Sequence, residues 1–147
     1  MNNHHMKHFR ARLALLALLG GLGLSGQVQA EEPIVLVATS RNVPLAQLTA
    51  RQVADLFLGQ SLGELKLRPI DSSDETLRER FYQRVAGLSA NRARAVWARL
   101  VFATRQMPPL EMSPEEAAQQ LLTTGDAITY LYRDRLPKGT KVLLVLP

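Results

Sequence analysis

The chain has 147 residues, of which 46% are hydrophobic and 21% are charged, a balance typical of one folded domain and a length too short for a two-domain enzyme. It contains no cysteine, which excludes disulfides, zinc–thiolate sites, iron–sulfur clusters and thiol catalysis. The formal net charge of +5 favours a nucleic-acid partner only if the basic residues belong to the folded part of the chain.

The N-terminal segment, residues 1–30, has the organisation of a secretory signal peptide. Basic residues at Lys7, Arg10 and Arg12 precede an apolar run of Leu, Ala and Gly, and Ala30 offers a cleavage site. The apolar run is short for a membrane-spanning helix, which needs roughly 20 residues. The segment is therefore predicted to direct export and to be removed, and the exported protein is not expected to span a membrane.

Removal of this segment leaves residues 31–147 as a single domain and changes the chemistry of the chain. The formal net charge falls from +5 to +2, because three basic residues and no acidic residue are lost, and this charge does not support a nucleic-acid partner. The three histidines, His4, His5 and His8, are lost as well. Without His or Cys, histidine-based catalysis, Ser-His-Asp triads and typical zinc or copper sites are excluded, and no cofactor is predicted.

The exported domain begins with a predicted strand, a helix and a second strand. Residues 33–38 (PIVLVA) form a short β-branched run typical of a buried strand. Thr49 is suited to cap a helix that runs to Phe57 and stops at Gly59. Residues 65–70 (LKLRPI) alternate apolar residues with basic residues or proline, which is typical of a half-buried or edge strand.

The second strand leads into a predicted helix start. Residues 71–76 (DSSDET) have the composition of such a start, with Ser72 or Ser73 as the cap and acidic residues in the first turn. The helix that follows ends near Gly87 and is amphipathic, so we expect Arg78 to lie on its solvent side. This capping role is also a sufficient explanation of the loop without any ligand.

A third helix is predicted from about Arg92 to Ala103. Its apolar stripe predicts that Trp97 and Val101 are both buried. Two prolines, at residues 108–109, close the helix.

The remaining chain contains one more helix and two strands. The fourth helix opens at Ser113, where a capping box and Pro114 mark its start, and it ends near Gly125. Residues 127–132 (AITYLY) and 141–146 (KVLLVL) are the last predicted strands. Because strands and helices interleave, the sequence predicts an α/β domain in which helices flank a mostly parallel sheet.

Three segments resemble the phosphate-binding proteins of bacterial ABC transporters, and more closely their short single-domain relatives. Residues 48–59 contain a short helix that ends in a Phe-Leu-Gly step, and residues 69–81 contain a strand that leads into a hydroxyl-rich helix start. Residues 97–102 (WARLVF) precede a basic, Pro-rich turn. The resemblance covers nearly all of residues 33–146. It implies a periplasmic location in a Gram-negative-type envelope and the fold of a single lobe of a type II periplasmic binding protein.

The resemblance also implies a ligand and the residues that bind it. Proteins of this family hold a tetrahedral oxyanion through hydroxyls and backbone amides at helix starts, where the helix dipole is positive. The expected ligand is inorganic phosphate or a similar oxyanion, with Arg41 as its charge partner. The family's two binding loops fall on the following residues of this chain: Thr39, Ser40, Arg41, Asp71, Ser72, Ser73 and Thr76.

Two functions remain open at this point. The first is a phosphate-binding module, a substrate-binding or accessory component of an ABC-type phosphate uptake or sensing system. Transport receptors close two lobes on their ligand, whereas residues 31–147 supply about one, so the half-site is either open or completed by a homodimer. The second is a protein-interaction module that has lost ligand binding and docks on a membrane sensor or transporter. A carboxylate pair such as Asp71 with Asp74 or Glu75 has the groups for general acid–base catalysis, but nothing in the sequence separates that role from capping, and no enzymatic activity is predicted.

Overall fold

Five strands and four helices are interspersed along the part of the chain that the computed structural model describes, which is residues 33–147. The predicted signal peptide, residues 1–30, lies outside the described residues. The elements are β1 (Val35–Ser40), α1 (Ala50–Phe57), β2 (Arg68–Ser72), α2 (Glu75–Ala86), α3 (Ala90–Thr104), β3 (Leu110–Met112), α4 (Pro114–Thr123), β4 (Ala127–Tyr132) and β5 (Thr140–Leu146), with a short 3-10 turn between the last two. No helix within this range has the length and apolar character needed to cross a bilayer.

The strands form one mixed sheet in the order β3-β2-β4-β1-β5. β2 pairs in parallel with β3 and with β4, whereas β1 is antiparallel to both of its neighbours, β4 and β5. All the strands except β1 therefore run in the same direction. The predicted α/β class is confirmed, and the sheet is mostly parallel in strand direction, although the insertion of β1 makes two of its pairs antiparallel.

Each face of the sheet has its own core. Helices α1, α2 and α3 contribute to the larger core, together with β1 and β4 side chains such as Val37 and Tyr130. Helix α4 covers the opposite face, where Leu121 is buried with Ile70 and Leu131. Side chains of β1 and β4 alternate between the two cores, as the period of two in a β-strand requires.

Aromatic rings occupy the centre of the larger core. The rings of Phe81 and Tyr130 are stacked with centroids 3.7 Å apart and an angle of 3° between their planes. Phe57 meets Phe81 edge-on at a centroid distance of 4.8 Å. These contacts join α1, α2 and β4, and such pairs stabilise a core by about 0.5–1.5 kcal/mol beyond the area that they bury.

Local capping explains where the helices begin. Thr49 forms a capping box with Gln52 at the start of α1. Ser113 forms a capping box with Glu116 at the start of α4, as the residue types there predicted. The predicted cap of α2 was wrong: the cap is Asp74, whose side chain accepts a hydrogen bond from the backbone N–H of Leu77 at 3.0 Å. Ser72 belongs to β2, and Ser73 precedes the cap.

The other differences from the sequence prediction depend on contacts between distant residues. β2 begins at Arg68 rather than at residue 65, because its pairing with β4 begins at Arg68. β3 was not predicted, and only its parallel pairing with β2 makes this segment a strand. α3 begins at Ala90, directly after its cap Ser89, and Trp97 is buried as predicted, whereas Val101 is 38% exposed.

Gly59 provides a test of how closely α1 approaches α3. Its φ of +92° disfavours any side chain, and a Cβ atom would lie 2.9 Å from Cδ1 of Leu100 and 3.1 Å from Cη2 of Trp97. We expect Gly59→Ala to lower the free energy of unfolding by about 2–4 kcal/mol through strain and overpacking. Gly63→Ala is the matched control, because φ there is +63° but no atom lies within 4 Å, and the expected loss is about 1 kcal/mol. Urea unfolding measures both, and equal losses would contradict the packing argument.

Candidate functional site

The first predicted loop lies at the end of β1, where two hydroxyl groups are already engaged. Thr39 Oγ1 donates a hydrogen bond to the carbonyl of Ala127 at 2.7 Å, and Ser40 Oγ donates to the carbonyl of Thr124. Both serine and threonine are buried. Arg41, in contrast, is exposed, and no carboxylate of the described residues forms an ion pair with it. The hydroxyl groups therefore fasten the loop to α4 and β4, and Arg41 is left available.

A polar cavity of about 280 Å³ opens beside Arg41. We call it the Arg41 cleft, and the following residues line it: Ser40, Arg41, Asn42, Leu121, Leu122, Thr123, Thr124, Gly125 and Gly139. None of these lining residues is acidic. The C-terminal end of α4 lines part of the cleft, which therefore combines polar residues with one guanidinium group.

The second predicted loop, at the start of α2, contains a buried carboxylate. One oxygen of Asp71 accepts hydrogen bonds from the backbone N–H of Ser72, at 2.9 Å, and from the hydroxyl of Tyr130. The other oxygen accepts from the hydroxyl of Tyr82 at 2.9 Å and lies 3.0 Å from Nη2 of Arg78. The Asp71 carboxylate is therefore saturated by groups of the fold itself.

The hydroxyl groups of the second loop differ in their availability. Ser72 is buried, and its Oγ accepts a hydrogen bond from the backbone N–H of Asp74 at 3.1 Å. Ser73 and Thr76 are exposed at the N-terminus of α2. Acidic residues share this position, because Asp74 caps the helix and Glu75 follows in its first turn.

Arg78 is the residue that the sequence analysis placed wrongly. It is only 4% exposed, and its guanidinium group lies between Asp71 and Glu111, to which it is also hydrogen bonded. Burial by itself would lower the pKa of Arg78, but the two carboxylates outweigh burial and raise it, so the group stays charged. The spacing of four residues between Arg78 and Tyr82 was the available signal, since it puts both side chains on one face of α2.

The tyrosines that contact Asp71 remain protonated. Burial, and then the charge of Asp71, raise the pKa of Tyr82 and of Tyr130 above the ordinary value of 10.0. Each hydroxyl group therefore acts as a hydrogen-bond donor to the carboxylate. This arrangement supplies the donors that a buried anion needs, and no proton transfer follows from it.

The two predicted loops lie at opposite ends of the strands, one near the start of β4 and the other near its end. Thr39 is paired with Ile128 of β4, and Ile128 is paired with Pro69 of β2. Ser72 lies beyond Pro69 towards the other end of β4, which is about 10 Å further along the strand direction. The structure thus brings Thr39, Ser40 and Arg41 together at one end of the strands and the residues of the second loop together at the other end. One anion of the size of phosphate does not reach both loops.

Within residues 33–147, no cluster of three or more His, Cys, Asp or Glu side chains is arranged to hold a metal ion. No family model matches the sequence, and a comparison with curated proteins finds no match.

Solved structures do resemble the protein. An ABC-type phosphate transport receptor from Vibrio cholerae matches 76% of this chain and 46% of its own chain, with a TM-score of 0.56 and 13% sequence identity. A protein from Clostridium perfringens assigned as a phosphate ABC transporter substrate-binding protein, crystallised with bound phosphate, matches 76% of this chain and 45% of its own, with a TM-score of 0.53 and 13% identity. The fold therefore resembles a single lobe of a type II periplasmic binding protein.

This likeness concerns the fold, and the chain spans less than half the length of either receptor. The predicted resemblance to a lobe of a periplasmic binding protein is confirmed for the fold. At 13% sequence identity the likeness shows the fold alone, and it carries no activity or ligand over to this chain.

The role of Asp71 can be tested by its removal. We expect Asp71→Ala to lower the free energy of unfolding by about 3–5 kcal/mol without any added anion, because Arg78 loses a buried counter-charge and two tyrosine hydroxyls lose their acceptor. Asp55→Ala is the control, since Asp55 forms an exposed pair with Arg51 at 4.0 Å and its loss is expected to cost at most about 1 kcal/mol. Urea unfolding distinguishes the two, and similar small losses would refute a structural role for Asp71.

Proposed function

We propose that the protein is an exported, periplasmic oxyanion-binding module with inorganic phosphate as its leading ligand. The observation that carries the proposal is the fold, which matches part of a phosphate transport receptor and part of a substrate-binding protein crystallised with phosphate. In this proposal the module serves an ABC-type phosphate uptake or sensing system as a substrate-binding or accessory component. A homodimer that covers the bound anion belongs to the proposal, because a single lobe leaves one side of the anion in solvent.

The Arg41 cleft is the better supported of the two loops as the anion site. It has an available guanidinium group and no acidic lining residue, whereas the second loop carries Asp74 and Glu75. A guanidinium group binds an oxyanion through two parallel hydrogen bonds. The carbonyl end of α4 disfavours an anion, so Arg41 has to supply the attraction. In this arrangement Thr39 and Ser40 position Arg41 rather than contact the ligand.

Thermal unfolding of the protein without residues 1–30, with and without phosphate, tests the proposal. Sulfate and chloride at matched ionic strength are the controls for charge. At a phosphate concentration of 100 times Kd, we expect a stabilisation of about 2.7 kcal/mol, which raises Tm by several degrees. Arg41→Ala is expected to abolish the shift and Arg41→Lys to retain part of it, because lysine keeps the charge but loses the bidentate geometry.

Arg51→Ala provides the matched control, since Arg51 is an exposed arginine on α1, and its phosphate shift should equal that of the wild type. The double substitution Ser73→Ala and Thr76→Ala examines the second loop. If this double variant loses the shift and Arg41→Ala keeps it, the anion binds at α2 and the assignment to Arg41 is wrong. The absence of any phosphate-selective shift at millimolar concentration would reject oxyanion binding altogether.

A second candidate function is docking on the extracytoplasmic part of a membrane sensor or transporter. Large apolar side chains are exposed in the last turn of α3 and in the segment that follows it: Phe102 is 93% exposed and Met107 78%. We call this surface the α3 patch. Exposed apolar surface of this kind marks interaction sites more often than chance, which favours this function specifically.

The Phe102→Ser variant tests the docking function. We expect the wild-type protein to sediment with membranes from its own cells. Phe102→Ser is expected to weaken this binding by a factor of about ten or more, because aromatic side chains buried in an interface contribute most to its binding energy. Leu122→Ser, at an exposed leucine on α4, is the control and should bind normally. Protease treatment of the membranes separates a protein partner from lipid. Binding that survives the protease, or that Phe102→Ser leaves intact, would argue against this function.

A further inference from the structure

We propose that a groove between α3 and the segment 108–111 binds a small organic carboxylate, that is, a carboxylic acid attached to an apolar group. The groove has a volume of about 450 Å³. This value lies in the range of roughly 300–1,000 Å³ that small-molecule pockets occupy. The groove is separate from the Arg41 cleft and shares no lining residue with it.

The walls of the groove are mostly apolar and preformed. Their apolar residues are Trp97, Ala98, Val101, Pro108 and Pro109, and Arg94, which forms an ion pair with Glu75, also lines the groove. The indole of Trp97 is fixed in orientation, because its Nε1 donates a hydrogen bond to the carbonyl of Phe57 at 2.9 Å. The two prolines restrict the backbone of the opposite wall. An apolar group can therefore enter without reordering either wall, which favours binding.

One part of the groove is lined by the guanidinium group of Arg78, which has two carboxylate partners that differ in burial. Asp71, Arg78 and Glu111 meet there. Asp71 is buried and has further hydrogen bonds, whereas the side chain of Glu111 is 47% exposed, and Arg78 is its partner in the described structure. Glu111 can therefore turn into solvent, but Asp71 cannot. Arg78 then needs a replacement anion, because it is a buried cation.

The contact between Glu111 and Arg78 indicates which kind of anion can replace Glu111. A carboxylate fits beside Nη1 of Arg78, since the side chain of Glu111 occupies this position. A ligand carboxylate that takes the same place keeps the charge balance around Arg78 unchanged. The apolar part of the ligand then covers Trp97 and Val101, which neither inorganic phosphate nor acetate can do. Glu111 is thus a built-in competitor that sets the affinity.

Fluorescence of Trp97 provides a direct readout, because it is the only tryptophan of the chain and forms a wall of the groove. The probe is 3-phenylpropionate, titrated into the protein without residues 1–30. Acetate carries the head group alone, and 3-phenylpropan-1-ol carries the apolar group alone. We expect a saturable response to 3-phenylpropionate and only weak responses to the other two compounds.

Three variants make the assignment specific. Glu111→Gln is expected to tighten binding about tenfold, because it removes the competing charge and preserves the size of the side chain. Ala98→Leu should abolish binding by filling the groove. Ala95→Leu is its matched control, since Ala95 is also exposed on α3 but does not line the groove, and it should bind as the wild type does.

Several outcomes would overturn the proposal. They are the absence of a saturable response in both the wild type and Glu111→Gln, an equal response to 3-phenylpropan-1-ol, and equal losses in Ala98→Leu and Ala95→Leu. The phosphate-dependent melting shift is a separate readout at a separate site. Failure of either proposal therefore does not decide the other.

Discussion

The buried Asp71 carboxylate is the constraint on which much of the domain depends. It is placed by β2, it receives hydrogen bonds from Tyr82 of α2 and Tyr130 of β4, and it pairs with Arg78. An ionised carboxylate out of contact with water is tolerated only when its hydrogen-bonding capacity is met. The helix and both strands must therefore keep one relative position, and the stacked rings of Phe81 and Tyr130 fill the space beside the charges.

This constraint also separates the residues of the second loop into those that hold the fold and those that face solvent. Asp71 and Ser72 are consumed by internal hydrogen bonds, whereas Ser73 and Thr76 are not buried. At the first loop the division is sharper, since the hydroxyls are buried and only Arg41 is free to meet an anion. Residue type alone had suggested that all these hydroxyls were equivalent ligands.

The parts of the fold that sequence predicts well depend on local chemistry. Thr49 and Ser113 mark helix starts because a cap and its partner lie within three residues of each other, and the β-branched residues of β1 fit a buried strand. β3 and the burial of Arg78 depend instead on partners more than thirty residues away, at Ile70 to Ser72 and at Glu111. The direction of β1 is likewise non-local. If β1 were parallel to the other strands, both binding loops would lie at the same end of the strands, but β1 is inserted antiparallel between β4 and β5.

Two arginines illustrate how one small domain can treat anions differently. Arg41 is exposed beside a polar cleft, so an anion that binds there keeps part of its hydration, and the attraction is weakened by solvent. Arg78 is buried and paired with Asp71 and Glu111, and in the binding mode proposed above an anion reaches it by replacing Glu111 and covering the apolar walls. The first arrangement suits a small, strongly hydrated oxyanion, and the second suits a carboxylate whose remaining atoms are apolar. Selectivity then follows from burial around each guanidinium group rather than from the charge that both groups share.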